Sequence, residues 1–173
     1  MIFIFNIPKF TPMLDIRGKV DRWECVYKEC KAKCCSPPKI TIGDIKRIAQ
    51  ALNLKPEEFS ELKDEKGLFI IKSKNGKCYF LDDDFSCKLH KIKTVPLSCK
   101  MFPFLFDGIQ YGDDIILKLK IADDCPGHGR GEKVTESFKK ALEDNGSKFI
   151  HELERYIKLK RTGLSLEDIL ERI

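Results

Sequence analysis

The chain has 173 residues, 42% of them hydrophobic and 34% charged, with 32 Lys and Arg against 27 Asp and Glu for a net charge of +5. That balance excludes a disordered or fibrous chain and describes a compact globular protein able to bury roughly 70% of its unfolded surface. No apolar run approaches the roughly 20 residues that span a bilayer, and the first eight residues are too short for a signal peptide. The chain is therefore expected to be soluble and cytoplasmic, with no membrane partner.

Residues 1–12 alternate weakly in polarity and read as a short strand or ordered arm ending at Pro12. The segment Trp23 to Cys35 carries Cys25, Cys30, Cys34 and Cys35 and is closed by Ser36-Pro37-Pro38, which stops any helix, so it reads as a loop built around ligands. Thr41-Ile42-Gly43-Asp44 is a capping box, and Ile42, Ile45, Ile48, Ala49 and Leu52 follow at helical spacing, predicting a helix over 41–53. Pro56 opens a second, short helix. Residues 68–73 and 77–81 flank Lys74-Asn75-Gly76, whose Asn-Gly pair favours a tight turn, so a hairpin is predicted to carry Cys78. Cys87 follows in a turn, and Cys99 sits between Pro96 and Pro103, room for only two helical turns. Ile115 to Ile121 reads as a strand leading to Asp123-Asp124-Cys125-Pro126-Gly127-His128-Gly129. From about 131 the pattern is helical, with Phe138, Leu142, Phe149, Leu153, Tyr156 and Ile157 as the apolar stripe, a break at Asn145-Gly146, and a last helix from Ser165. The fold expected is α+β: a small metal-organised domain over 1–130 with short helices and a β-hairpin, and a carboxy-terminal helical extension over 131–173 packed on it.

Eight cysteines are the distinctive number. Four disulfides need an oxidising compartment, which nothing in the sequence suggests beyond a Lys- and Ile-rich, Asn- and Gln-poor bias of the kind hyperthermophiles show. Eight uncommitted thiols would invite oxidation. Metal ligation uses all of Cys25, Cys30, Cys34, Cys35, Cys78, Cys87, Cys99 and Cys125. Their intervals run Cys-x4-Cys-x3-Cys-Cys, then x42, then Cys-x8-Cys-x11-Cys-x25-Cys. The short Cys-x2-Cys knuckle of zinc ribbons is missing, as is the ferredoxin run, so the ligands must be assembled by the fold. All-thiolate shells suit zinc, iron–sulfur clusters and copper(I). Ligands from separate loops, together with Cys125-Pro126, favour an iron–sulfur cluster of the 4Fe-4S type, with zinc as the alternative. Eight thiolates would serve two sites, or one site with four structural cysteines. In an extended backbone Cys34 and Cys35 would point apart and serve different metals.

Taken together, the group ending in Cys34-Cys35, the helix with Ile45 and Ile48-Ala49, Gly76-Lys77-Cys78-Tyr79-Phe80-Leu81, the Cys87 turn, Pro96-x-x-Cys99-Lys100-x-Phe102-Pro103-Phe104 and Cys125-Pro126-Gly127 resemble the YkgJ-like cysteine-cluster family. The resemblance spans about residues 23–130. It departs from the family's usual Cys-x2-Cys-x2-Cys-Cys in its first two intervals, in Leu89-His90 where Ile-Tyr is common, and in Lys100 where Arg is common. It implies a zinc- or iron-chelating domain. A related cysteine cluster occurs in flagellin lysine N-methylases, but no glycine-rich adenosylmethionine loop is recognisable here. Gly127 to Gly131 comes nearest and reads as a turn.

The remaining motifs have a plainer and a sharper reading. Lys28, Lys31, Lys33, Lys88, Lys91, Lys93 and Lys100 are a solvated surface or a set of cations tuning the thiolates. His128, His90 and His151 are candidate extra ligands or proton carriers. Asp82-Asp83-Asp84 reads as a hydrated turn and not a calcium loop. Trp23 and the Phe102, Phe104, Phe106 run are expected to pack around the metal and keep it dry. Eight bound thiolates would take the chain from +5 to −3, so the basic excess compensates the thiolates and nucleic acid is disfavoured as a partner. The leading function is an iron–sulfur protein that passes electrons or supports modification of a macromolecule. The alternatives are a structural zinc module for protein or RNA contacts and a cluster-dependent protein methyltransferase. Catalytic residues, and whether the chain is an enzyme at all, are not legible.

Overall fold

The computed structural model describes residues 13–173, so the strand or arm read at 1–12 lies outside the described residues. In chain order the elements are β1 (Met13–Arg17), β2 (Arg22–Trp23), β3 (Lys39–Ile40), α1 (Ile42–Leu52), α2 (Pro56–Phe59), β4 (Ser60–Glu65), β5 (Leu68–Ile71), β6 (Ser73–Lys74), β7 (Lys77–Cys78), α3 (Lys88–Lys91), α4 (Leu97–Lys100), β8 (Phe104–Gln110), β9 (Ile116–Ile121), β10 (His128–Lys133), α5 (Glu136–Arg161) and α6 (Leu166–Arg172). The mixture of short helices and small sheets makes this an α+β fold.

The helix starts follow their capping chemistry. Thr41 Oγ1 accepts from the Asp44 amide at 3.1 Å while Asp44 Oδ2 accepts from the Thr41 amide at 3.1 Å, and Ser165 and Asp168 repeat the arrangement ahead of α6. Each box satisfies two amides that a helix N-terminus otherwise leaves unpaired. Asn53 ends α1 in the left-handed conformation. The Asn75-Gly76 turn forms with both residues at positive φ, as a tight hairpin requires, and β6 pairs with β7. The hairpin is shorter than the sequence pattern suggests, because Leu68–Ile71 is taken instead into a second sheet of order β3-β5-β4.

Six strands, β1, β2, β3, β4, β8 and β10, are not legible in the sequence. β4 is mostly charged and alternates in burial, so only its pairing with β5 makes it a strand. β8 is interrupted by Asp107-Gly108 and pairs with β9 through a register shift there. β9 is in turn flanked by β1 in parallel. The Gly127 to Gly131 stretch, read as a turn ahead of a helix, turns only as far as His128; β10 then pairs with β2, and α5 begins at Glu136.

Asn145-Gly146 does not break α5, which runs unbroken over 26 residues. Gly146 is buried where a Cβ would come within 2.7 Å of Leu14 Cδ2, so the glycine there lets β1 approach the helix. α5 also joins two hydrophobic cores. Tyr156 belongs with Ile42, Ile45, Ile48, Phe69 and Phe80, while Phe149, Ile150 and Leu153 belong with Leu97, Met101, Leu117 and Leu119. Phe104 and Phe106 pack in this second core, Phe106 at 6.1 Å from Phe149, and not around the thiols as the sequence pattern suggests.

A buried polar network pins α1, α4 and α5 together. Arg47 donates to Asp44 at 2.6 Å and to Glu152 at 2.5 Å, Thr41 Oγ1 donates to Glu152, and the Leu97 amide donates to Asp44 Oδ1 at 3.1 Å. Asp44 is 1% exposed, and burial pushes its carboxyl above the ordinary range against the pull of Arg47. Ser98 Oγ donates to the Lys39 carbonyl at 2.7 Å. The helix that carries Cys99 is thus held to the body by two anchors, one to α1 and one to β3.

Candidate metal centre

All eight cysteines are free thiols, and the fold gathers them into two neighbourhoods. The first is the 24–38 loop. It contains no regular element, and its tight course depends on Lys31 and Ala32 in the left-handed conformation, with Ala32 fully buried as its anchor. The strand pair β2-β10 brings the 123–130 segment alongside. The Glu24 amide donates to the Gly127 carbonyl at 3.2 Å, Lys33 pairs with Asp124 at 3.0 Å and Arg130 with Glu29 at 2.7 Å. Both ion pairs are exposed and screened by solvent, so the strand pairing is the main clip. The result is that Cys125 faces a loop 91 residues earlier in the chain. Burial pushes the Cys25 thiol above its ordinary pKa, and nearby Cys34, Cys30 and Cys125 push it the same way.

The second neighbourhood is Cys78, Cys87 and Cys99. Cys78 ends β7, Cys87 precedes α3 and Cys99 lies in α4. Leu81 bridges to Cys87, and Cys78 and Cys87 pack against the first hydrophobic core. Burial pushes the Cys78 thiol up to about 11, with Cys87 adding to it. Burial also pushes Cys99 far up, with Cys78, Asp44 and Cys87 each contributing. Both shifts disfavour the thiolate of Cys78 and Cys99 until a cation compensates its charge.

Cys34 and Cys35 are where the neighbourhoods meet. The Cys35 carbonyl accepts from the Cys78 amide at 3.2 Å, which ties Cys35 to the second group. Cys34 answers to the first, being close enough to Asp124 for that charge to raise its pKa, although its largest upward push comes from hydrogen bonding with the Cys35 thiol. The two side chains do not point apart. That expectation holds for an extended backbone, and the chain turns here, so the two thiols lie against one another and the two groups adjoin.

Several candidate residues are committed elsewhere. His128 Nε2 is 2.7 Å from the Ala122 carbonyl oxygen, and His90 and His151 are exposed. Lys88 and Lys91 both pair with Asp82, Lys33 pairs with Asp124, and Lys28 lies 6.0 Å over the Tyr27 ring. Asp84 caps its own turn by accepting from the Ser86 amide at 3.0 Å. The acidic run is therefore a turn held by lysines and by its own amides.

A metal asks for thiol donors and for hydrogen bonds to the sulfurs it charges, and the donor set here fits. Among the described residues no three His, Cys, Asp or Glu side chains are drawn close enough to hold a metal ion. One polar atom is left over. Trp23 Nε1 is buried with no hydrogen-bond partner, a state that ordinarily costs about 1–3 kcal/mol. It lies at the first neighbourhood, between the segments carrying Cys25 and Cys125. The sequence marks Trp23 only as an aromatic shield, since nothing local reveals that its N–H goes unanswered.

The family model CxxCxxCC, described as a "putative zinc- or iron-chelating domain", matches residues 24–140, a span that holds all eight cysteines. No curated protein and no solved structure matches the chain. No helix among the described residues is long and apolar enough to cross a membrane.

Proposed function

The chain belongs to the CxxCxxCC family of zinc- or iron-chelating domains, and we propose that it holds two four-cysteine centres, Cys25, Cys30, Cys34 and Cys125 in one and Cys35, Cys78, Cys87 and Cys99 in the other, each an iron–sulfur cluster. The observation that carries the partition is the hydrogen bond from the Cys78 amide to the Cys35 carbonyl, which sets Cys35 beside the second group while Cys34 lies close enough to Asp124 of the first to feel its charge. Iron–sulfur is favoured over zinc because the second set draws each thiol from a different segment and neither set contains a two-residue knuckle.

When bound, such a group supplies one-electron chemistry. The protein's part is to bind and shelter it. Cys99, at the buried end of the second set, is fixed by Leu97 and Ser98 to the polar network and to β3. Cys25 and Cys34 reach the surface, so a protein partner would exchange electrons, or be modified, on the first set's side. Cys34 and Cys35 in mutual contact give the two sets a short connection through protein.

The test is elemental analysis and a visible spectrum of anaerobically purified protein. Iron, acid-labile sulfide and a broad absorbance that dithionite bleaches reversibly are expected. Colourless protein with stoichiometric zinc would replace this reading with a structural zinc module.

A further inference from the structure

Trp23 is the single tryptophan of the chain, and its indole N–H is a donor that the folded protein leaves without an acceptor. Its position is tightly determined. In β2 it is paired with His128 of β10, and the adjacent Glu24 amide is bonded to Gly127. Its ring lies against Phe102 at 5.3 Å between centroids, tilted by 58°, and the Phe102 amide donates to the Cys99 carbonyl at 3.3 Å. Gly127 closes the other side. A Cβ there would come 2.0 Å from the Glu24 carbonyl oxygen and 3.2 Å from Trp23 Nε1. Glycine is required for the Cys125-Pro126-Gly127 segment to lie over the indole nitrogen. A rigid ring, held on both sides, thus keeps a buried donor two residues before Cys25 and beside the segment that begins with Cys125.

We infer that Trp23 Nε1–H is a positioning donor for the first centre, hydrogen-bonding a sulfur of the metal group held by Cys25, Cys30, Cys34 and Cys125. The inference rests on the proposed two-centre reading and sharpens it. A neutral thiol is a weak acceptor, whereas a metal-bound thiolate or cluster sulfide is an anionic one, so the donor is satisfied only on loading. Such a bond withdraws electron density from sulfur and favours the reduced state, raising the reduction potential of this centre relative to one lacking it. Among the described residues no other buried side-chain nitrogen or oxygen is left unpaired, so the second set has no counterpart.

The test uses the full reduced chain with its one tryptophan labelled with nitrogen-15, titrated anaerobically with zinc alone as a diamagnetic thiolate-binding probe. The expected result is a downfield shift of the indole N–H resonance and slower exchange with solvent, kept in Cys99→Ser and lost in Cys125→Ser. Trp23→Phe, which keeps the ring packing, is expected to weaken zinc retention at this set about tenfold or more. A resonance that stays put while wild-type protein retains zinc overturns the inference and leaves the metal reading standing. Protein that retains no zinc overturns the inference as stated for this thiolate probe, whereas the iron–sulfur reading itself falls only if anaerobically purified protein lacks iron, acid-labile sulfide and the bleachable absorbance. A shift lost in Cys99→Ser and kept in Cys125→Ser overturns the assignment to this centre.

Discussion

The backbone amide of Cys78 donates to the carbonyl oxygen of Cys35 at 3.2 Å, joining residues 43 positions apart. One residue earlier, Cys34 belongs with the loop that faces Cys125. A dipeptide that looks like a single feature in the sequence is thus the seam between two groups of thiols, one clipped by β2 and β10, the other set against a hydrophobic core.

Substitutions are expected to divide along that seam. Cys25→Ser or Cys125→Ser removes about half of the bound metal, and Cys78→Ser or Cys99→Ser removes the other half, because four-thiolate centres fail when a ligand is lost. Metal content of each purified variant checks this. If one substitution from either group abolishes all binding, the thiols form a single site.

Metal removal is expected to loosen the thiol loops without unfolding the protein. The two hydrophobic cores, joined by α5, are built from buried side chains other than the thiols, Cys78 and Cys87 only packing against the first, whereas residues 24–38 have no ladder of their own. Chelation should leave the far-ultraviolet circular dichroism nearly unchanged and raise amide exchange at 24–36 and 123–130. Cooperative loss of helix on chelation would mean that the metal, and not the cores, holds the fold.

Arg47→Met is expected to destabilise the protein by about 3 kcal/mol, since it leaves the buried carboxylates of Asp44 and Glu152 facing one another without their shared cation. Urea denaturation measures it. The cost should shrink as the pH falls, because burial holds the Asp44 carboxyl above its ordinary value, so the folded variant takes up that proton more readily than the unfolded chain, and protonation removes the repulsion. An effect under about 1 kcal/mol at neutral pH would contradict the reading.

Asp64 gives the opposite sign. Burial works against its charge, but Lys160, the Gly67 amide at 3.0 Å and the Tyr156 hydroxyl at 3.2 Å hold its carboxyl below the ordinary 3.8. The stability it contributes is present above that value and is lost as the pH falls through the lower folded value. Asp64→Asn should therefore cost about 1–2 kcal/mol at neutral pH, fading below about pH 4. A cost that stays constant down to pH 3 would show that the carboxylate charge is not what matters.

Local chemistry alone dictates several elements. The capping boxes at Thr41 and Ser165, the Asn75-Gly76 turn and the apolar run of β9 each form because the preference lies within a few neighbouring residues. The same holds for the first cysteine loop, which the prolines at 37 and 38 keep from becoming helical. Elements made by their partners are not legible in this way. β4 carries four charged residues and becomes a strand only beside β5, and Gly146, a helix breaker by propensity, sits within α5 because Leu14 needs the space.

The sequence by itself determined the chemistry: eight thiols with no short knuckle among them. Donor type and interval are properties of residues in order, and they suffice for metal chelation as a class. Only the tertiary structure decided which thiols share a neighbourhood, because Cys25 meets Cys125 through strand pairing and Cys35 meets Cys78 through one amide, contacts that chain order cannot encode. It alone also revealed Trp23 as an unanswered donor, since satisfaction of a hydrogen bond is a property of everything packed around an atom and not of the residue that bears it.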